Sequence, residues 1–262
     1  LIGETIEGEA VIFNGEEFAI DALQKINSEK FCKIYPDRGV EGGTTRKSEP
    51  EKKVIKYTGA PVEQPIVYLP AFVGTNCDYD TAKAFERAGA KTTTSVFCDL
   101  TPEDITASIE KMKKHIDECH ILALSGGFSA GDEPDGSGKF IVNVLNNKVI
   151  TDAIHALLDR GGLILGICNG FQALVKSGLL PYGRLGQVVK ESPTLFRNDI
   201  NRHISQIVST RVATTNSPWL SSFELGEQHS IAVSHGEGKF VVSDEMAEQL
   251  FANGQVAFQY VD

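Results

Sequence analysis

A reactive side chain between two glycines, where an apolar strand gives way to a helix, has the layout of a nucleophile elbow. Gly166-Ile167-Cys168-Asn169-Gly170-Phe171-Gln172 has that layout. Leu163–Leu165 reads as the strand, and Leu174 and Val175 mark the helix that follows. The tight turn holds the nucleophile in a strained backbone conformation, so its flanking positions must lack bulk. The helix points its positive end at the sulfur. The backbone N–H of Asn169 then becomes available to a developing oxyanion. The bland alternative is a buried, inert cysteine, the usual fate of a free thiol. Spacing alone leaves that open, and the whole seven-residue string favours the reactive reading.

Two further strings carry chemistry. Leu124-Ser125-Gly126-Gly127-Phe128-Ser129-Ala130-Gly131-Asp132 also ends a strand candidate, which puts it on the same sheet edge as Cys168. Paired glycines let backbone amides approach a substrate closely, and these are placed to complete an oxyanion hole with Asn169. A turn is the ordinary use of such a pair. Ser234-His235-Gly236-Glu237-Gly238 follows a strand candidate at 230–233 and reads most simply as a hairpin loop. His235 invites assignment as a catalytic base, but most loop histidines are neither base nor ligand. Asp132, Glu133 and Asp135 could suggest a metal loop, but no matching ligand set recurs, so no metal site is expected.

The elements that must position these strings come from periodicity. From Pro65 onward, strands and helices alternate: a strand at 66–69, a helix from Asp78 to Gly89, and a strand at 92–97. Thr101-Pro102-Glu103-Asp104 is a helix start with a capping hydroxyl, proline in the first turn and acids at the positive end. Ile105, Ile109, Met112 and Ile116 share one face of that helix. A strand at 119–124, a long helix at 140–160 and a strand at 163–165 complete the series. The order argues for a mostly parallel sheet with helices on both faces, and ligands in such folds sit beyond the carboxyl ends of the strands. After Gly178, short strands are expected at 187–190, 207–212, 230–233, 239–242 and 255–261, with a helix at 243–251. This reads as a β-rich insertion followed by a return to the main sheet. Ahead of Pro65, residues 1–40 hold an alternating run at 9–13 and an amphipathic helix candidate near 16–30. Residues 41–64 read as a linker.

Composition narrows the class. The 262 residues carry a formal net charge of −10, which repels phosphate backbones and makes nucleic acid an unlikely general partner. No apolar run approaches the ~18 residues that cross a bilayer, so no membrane association is expected. The five cysteines are odd in number and scattered without a CxxC pair, which argues against a disulfide framework and for a reducing, cytoplasmic setting. Cys77 lies in a loop at a strand end but lacks flanking glycines, and reads as structural.

Together the three strings resemble class I glutamine amidotransferases, which have a flavodoxin-like α/β fold. Gly126-Gly127-Phe128-Ser129 with Gly131-Asp132, then Asp135-Gly136-Ser137-Gly138, is similar to the glutaminase domain of the phosphoribosylformylglycinamidine synthase family. Gly74-Thr75-Asn76-Cys77 with Tyr79-Asp80, Pro193-Thr194-Leu195, Ser217-Pro218-Trp219 and His235-Gly236-Glu237-Gly238 add to the match, over about residues 65–262. The resemblance implies a glutaminase in which Cys168 attacks glutamine and forms a thioester. Gly127 and Asn169 match its oxyanion donors. Gly126, Phe128 and Gln172 match substrate-binding positions, and Ser234, Gly236 and Glu237 match the loop that holds the amino-acid end of glutamine. It also implies a large fused form, with residues 1–40 as the tail of a preceding synthetase region on the same polypeptide. That region, not this segment, would use ATP and magnesium.

One departure stands out. The family's general base is a histidine with a glutamate two residues on, after the last strand, and none follows 255–261. His235 has the spacing but precedes a strand and a helix still to come. The chain begins at Leu1 and stops at Asp262 inside a strand-like run. The expectation is a piece of a longer polypeptide whose base lies beyond Asp262, inactive or very weak alone. A non-catalytic docking module for a synthetase, or another cysteine hydrolase of the same fold, stays open.

Overall fold

The computed structural model describes residues 3–32, 62–132 and 137–261. Most of the expected linker, and Glu133, Asp135 and Gly136 of the acidic loop, lie outside the described residues.

Strands β1 (Ala10–Phe13) and β2 (Glu16–Ala19) pair antiparallel, and helix α1 (Ile20–Cys32) follows directly. The pairing of Phe13 with Glu16 leaves Asn14-Gly15 as a two-residue turn, with φ of 52° and 85°. Asn-Gly suits such a turn because both positions need left-handed backbone. The amphipathic pattern predicts a helix near 16–30. The turn instead commits Glu16–Ala19 to the hairpin, and the helix waits until Ile20.

The parallel sheet contains β3 (Ile66–Ala71), β4 (Lys91–Val96), β5 (Ile121–Leu124) and β6 (Leu163–Gly166), in the order β4-β3-β5-β6. Helix α2 (Asp78–Arg87) links the first two strands, and α3 (Pro102–Glu118) leads to β5. Thr101 caps α3 as expected, its hydroxyl accepting from Asp104 N at 3.1 Å. Ile109, Met112 and Ile116 are buried, whereas Ile105 lies outside the stripe, 42% exposed. The helix expected over 140–160 is two helices, α4 (Lys139–Leu145) and α5 (Lys148–Asp159). Asn147 divides them, its side chain accepting from Val149 N at 3.0 Å to start the second.

Both faces of the sheet are covered. Val67, Leu69, Ile121 and Ala123 point to one side, toward Ala82, Phe85 and Trp219. Tyr68, Leu122 and Leu124 point to the other, into a larger core with Met112, Ile116, Ile150, Ile154 and Leu157. Alternate residues of one strand thus feed opposite cores, which is why these strands read as continuous apolar runs. Helix α6 (Asn169–Lys176) follows β6. The expected α/β fold, mostly parallel with helices on both faces, is the fold observed.

The remainder comprises α7 (Leu179–Tyr182), β7 (Thr194–Phe196), β8 (Ile204–Val212), β9 (Gln228–His235), β10 (Lys239–Val241), α8 (Asp244–Ala252) and β11 (Phe258–Val261). Two expectations fail here. Residues 187–190 form no strand: Val188 and Val189 are exposed, and the strand comes later, at β7. The last strand does not return to the parallel sheet. It pairs antiparallel with β8, Phe258 opposite Val212 and Val261 opposite Ser209, in the sheet β11-β8-β9. Its exposure alternates along the strand, as suits a sheet with one wet face and not the doubly covered parallel sheet. β10 pairs with β7, so the 235–238 segment is not a hairpin loop.

Candidate active site

In the order β4-β3-β5-β6, the second strand in sequence lies on one side of the first and the third lies on the other. The connections therefore part between β3 and β5, and a crevice opens there at the carboxyl ends. The segments after β3, β5 and β6 all emerge at this edge. They carry Gly74–Cys77, Gly126–Asp132 and Cys168.

Cys168 occupies the turn between β6 and α6 with φ 53° and ψ −110°. L-residues with side chains rarely adopt this backbone, and it persists only where the surroundings over-determine it. Here they do. Ile167 N donates to Leu124 O at 3.0 Å, Gly170 N to Ile167 O at 2.9 Å and Gln172 N to Cys168 O at 3.0 Å. A Cβ on Gly170 would lie 2.1 Å from Leu124 O, and one on Gly166 would lie 2.8 Å from the Gly170 carbonyl. Both glycines are thus steric requirements of driving a helix hard against the neighbouring strand. The result leaves Cys168 exposed beside a buried Asn169. The Asn169 N–H heads α6, where no intrahelical acceptor exists.

The double-glycine segment faces it. Thr75 and Gly127 form an isolated antiparallel bridge flanked by Phe128 N to Gly74 O at 2.9 Å and Asn76 N to Gly126 O at 3.4 Å. That pattern is a non-hydrogen-bonded pair, so the Gly127 N–H points away from Thr75. Gly127 has φ +142°, and a Cβ there would meet Gly74 O at 2.6 Å and Thr75 Cα at 2.8 Å. Gly126 borders both cysteines of this edge: a Cβ on it would sit 3.3 Å from Cys168 Cβ and 3.5 Å from Cys77 Sγ. The loop continues through left-handed Ala130, Gly131 and Asp132, with φ of 52°, 83° and 39°.

Side chains lock this loop to the elbow. Asn169 Nδ2 donates to Asp132 Oδ2 at 2.9 Å and to Gln172 Oε1 at 3.2 Å, while Asn169 Oδ1 accepts from Ser129 N at 3.4 Å. The other Asp132 oxygen accepts from Gly138 N, ahead of α4, at 3.1 Å. Gln172 Nε2 then donates to Glu237 O at 3.1 Å, and Ser137 Oγ donates to the Glu237 carboxylate. Asn198 holds the same segment from behind, its N donating to Gly236 O at 2.8 Å and its Nδ2 to His235 O at 2.9 Å. His235 Nδ1 accepts from Gly238 N at 3.1 Å. Burial, then the nearby His203, pushes the His235 imidazole pKa down.

The match to a family model for the CobB/CobQ-like glutamine amidotransferase domain spans residues 64–262. The chain belongs to the CobB/CobQ-like glutamine amidotransferase family. It is 32% identical over 191 residues to phosphoribosylformylglycinamidine synthase subunit PurQ of Roseobacter denitrificans, covering 73% of each chain. It is also 32% identical over 201 residues to the PurQ subunit of Methanococcus maripaludis, covering 76% of this chain and 67% of that one. A solved structure titled as PurLQS from Thermotoga maritima superposes with a TM-score of 0.55 at 27% identity, covering 76% of both chains. The expectation of a glutamine amidotransferase therefore stands, in its PurQ-like form.

Within this amidotransferase fold, Cys168, Gly126, Gly127 and Asn169 converge at one sheet edge, and Gln172 ties them to Glu237. Phe128 contributes its backbone to the loop while its ring is 64% exposed. Gly236 is fixed through its carbonyl. Ser234 is engaged elsewhere, its hydroxyl 2.9 Å from His203 Nε2. Three participants escape sequence reasoning. Asp132 looks like a metal-loop acid until its carboxylate is seen between Asn169 and Gly138. Asn198 carries no motif at all. Cys77 reads as structural until Gly126 is seen to separate it from Cys168 by no side chain.

Proposed function

We propose that this chain is the glutaminase portion of a phosphoribosylformylglycinamidine synthase, with Cys168 as nucleophile. The sulfur attacks the side-chain carbonyl carbon of glutamine and an S–C bond forms. The carbonyl electrons move to oxygen, where the N–H groups of Gly127 and Asn169 receive the charge. The C–N bond breaks and the nitrogen leaves as ammonia, taking a proton. Water then cleaves the thioester, releasing glutamate and restoring the thiol. Gly126, Phe128 and Gln172 border the substrate, and the segment with Ser234, Gly236 and Glu237 receives its amino-acid end. Proton transfer to the leaving nitrogen needs an acid–base partner. His235 is not given that role, because its Nδ1 is bound within its own loop.

The observation that carries this reading is Cys168 in left-handed backbone at the β6–α6 turn, facing the Gly126-Gly127 segment. In the same proposal the ammonia passes to a synthetase region in the cytoplasm, which converts formylglycinamide ribonucleotide to its amidine and supplies the ATP and magnesium sites. Residues 1–40 belong to that region on the same polypeptide, joined by a linker at 41–64 to the glutaminase domain at 65–262. Two observations support the division. The family match starts at residue 64. Ahead of it Ile12, Phe13 and Ile26 are 58%, 66% and 67% exposed, so the first segment buries little of its own apolar surface.

Diazo-oxonorleucine, an electrophilic glutamine mimic, tests the site. A single mass gain is expected on Cys168, absent in Cys168→Ala and slowed by excess glutamine. Modification of Cys77 or Cys98 with Cys168 untouched would defeat the reading and favour a non-catalytic docking module.

A further inference from the structure

We propose that Cys77 and Cys168 are a peroxide-sensitive thiol pair that closes to a disulfide and masks the elbow sulfur. Both are exposed at the carboxyl edge of the parallel sheet, Cys77 ahead of α2 and Cys168 ahead of α6. One point in space, where a Cβ on Gly126 would sit, is 3.3 Å from Cys168 Cβ and 3.5 Å from Cys77 Sγ. Because Gly126 has no side chain, nothing of its own fills the gap between them. A disulfide needs Cβ atoms about 3.5–4.5 Å apart, so closing the pair draws both residues into the space beside Gly126. Among the described residues the Cys77 sulfur is held only by Asn76 Oδ1 at 3.0 Å, and the Asn76 amide reaches Gly126 O at a long 3.4 Å. Neither contact strongly resists a turn of Cys77 toward Cys168. Burial first, then Cys168, Asp80 and Asp78, push the Cys77 thiol pKa up.

The chemistry balances with a peroxide as oxidant. The Cys168 sulfur attacks hydrogen peroxide, the O–O bond breaks, and a sulfenic acid and one water result. The Cys77 sulfur then attacks that sulfenic sulfur. An S–S bond forms, the S–O bond breaks, and a second water leaves with the Cys77 proton. Two thiols are oxidised by two electrons and one peroxide is reduced. Sulfenic acid left without a partner proceeds irreversibly to sulfinic acid, so Cys77 protects Cys168 as well as blocking it. The pair needs two neighbouring sulfurs and nothing of the glutaminase assignment.

The full chain is exposed to hydrogen peroxide, quenched with a maleimide, digested without reductant and examined by mass spectrometry. The expected product joins the Cys77 and Cys168 peptides with loss of two hydrogens, and dithiothreitol restores both thiols. In Cys77→Ala and Cys77→Ser the fraction of Cys168 that dithiothreitol recovers falls about tenfold, with sulfinic acid in its place. Absence of the joined peptide, with Cys168 lost irreversibly at the same rate in parent and variants, overturns the proposal. So does a Cys168–Cys98 link in its stead. Should the variants fail to fold, the parent digest alone decides by the presence or absence of the link.

Discussion

Asp132 is the joint between the double-glycine loop and the elbow, and removing its carboxylate should cost more than an ordinary surface acid. Asp132→Ala strips an acceptor from Asn169 Nδ2 at 2.9 Å and another from Gly138 N at 3.1 Å. Hydrogen bonds to a charged group contribute about 1.5–3 kcal/mol each, and a buried donor left unpaired costs its desolvation. Asn169 is 2% exposed, so water cannot replace the lost acceptor. Two facts limit the loss. Asn169 Nδ2 keeps Gln172 Oε1 at 3.2 Å, and Asp132 is only partly buried. A net loss of about 2–4 kcal/mol follows. Urea denaturation of the full chain measures it as a shift in midpoint. Asp132 also sits at φ 39°, where alanine is strained and asparagine is better tolerated. Asp132→Gly therefore separates backbone from carboxylate: it relieves the strain and still loses the acceptors. The decisive comparison is the exchange Asp132→Asn with Asn169→Asp. In the exchanged pair the amide introduced at position 132 can donate to the new carboxylate and its oxygen keeps the bond from Gly138 N, once the Gln172 side-chain amide turns its N–H toward that carboxylate. The double variant should recover about half or more of what Asp132→Ala loses. It should also recover the rate at which diazo-oxonorleucine reaches Cys168. Asp132→Ala within about 0.5 kcal/mol of the parent, or an exchange no better than the sum of its single changes, would refute the joint.

Gly170→Ala should destabilise by about 1–3 kcal/mol or more, because its Cβ would lie 2.1 Å from Leu124 O, a backbone atom with nowhere to go; a denaturation midpoint equal to the parent's would contradict the steric account of the elbow. Ser125→Ala should leave stability unchanged or raise it by about 1 kcal/mol, since Ser125 Oγ is buried with no hydrogen-bond partner among the described residues; a loss of similar size in the same assay would mean the hydroxyl is satisfied. Burial pushes the Tyr68 phenol up from its ordinary 10.0 to about 12, against a smaller downward pull from its 2.7 Å bond with Ser95. The folded state therefore keeps a proton that the unfolded state gives up first. Tyr68 contributes fully below pH 10.0, and its contribution is lost as pH rises from there through about 12. Tyr68→Phe should flatten that alkaline decline while costing about 1 kcal/mol near neutral pH for the lost hydrogen bond; an unaltered alkaline slope would show that Tyr68 is not its source.

What the residues disclose in advance follows from how local the cause is. The elbow is legible because Gly166 and Gly170 answer to contacts within their own turn and the adjoining strand, so steric necessity is written as spacing. The parallel sheet is legible because its central strands, β3 and β5, are apolar on both faces, and its order puts Cys168 and Gly127 on one edge. The failures have causes that no short window contains. Nothing near Phe258 names β8 as its partner, and an alternating strand is compatible with any sheet that offers one wet face. Asn14-Gly15 is the instructive exception: the turn signal is local, but a helical pattern over 16–30 competes with it, and backbone geometry decides for the hairpin. Asn198 and Cys77 reach the site only through the third dimension, one by carbonyls that lie far along the chain, the other across a glycine. The nucleophile's surroundings are thus less legible than the nucleophile. A bare glycine between two cysteines is invisible as a motif, and it is this absence of atoms that lets a cysteine with no elbow of its own stand beside one that has it.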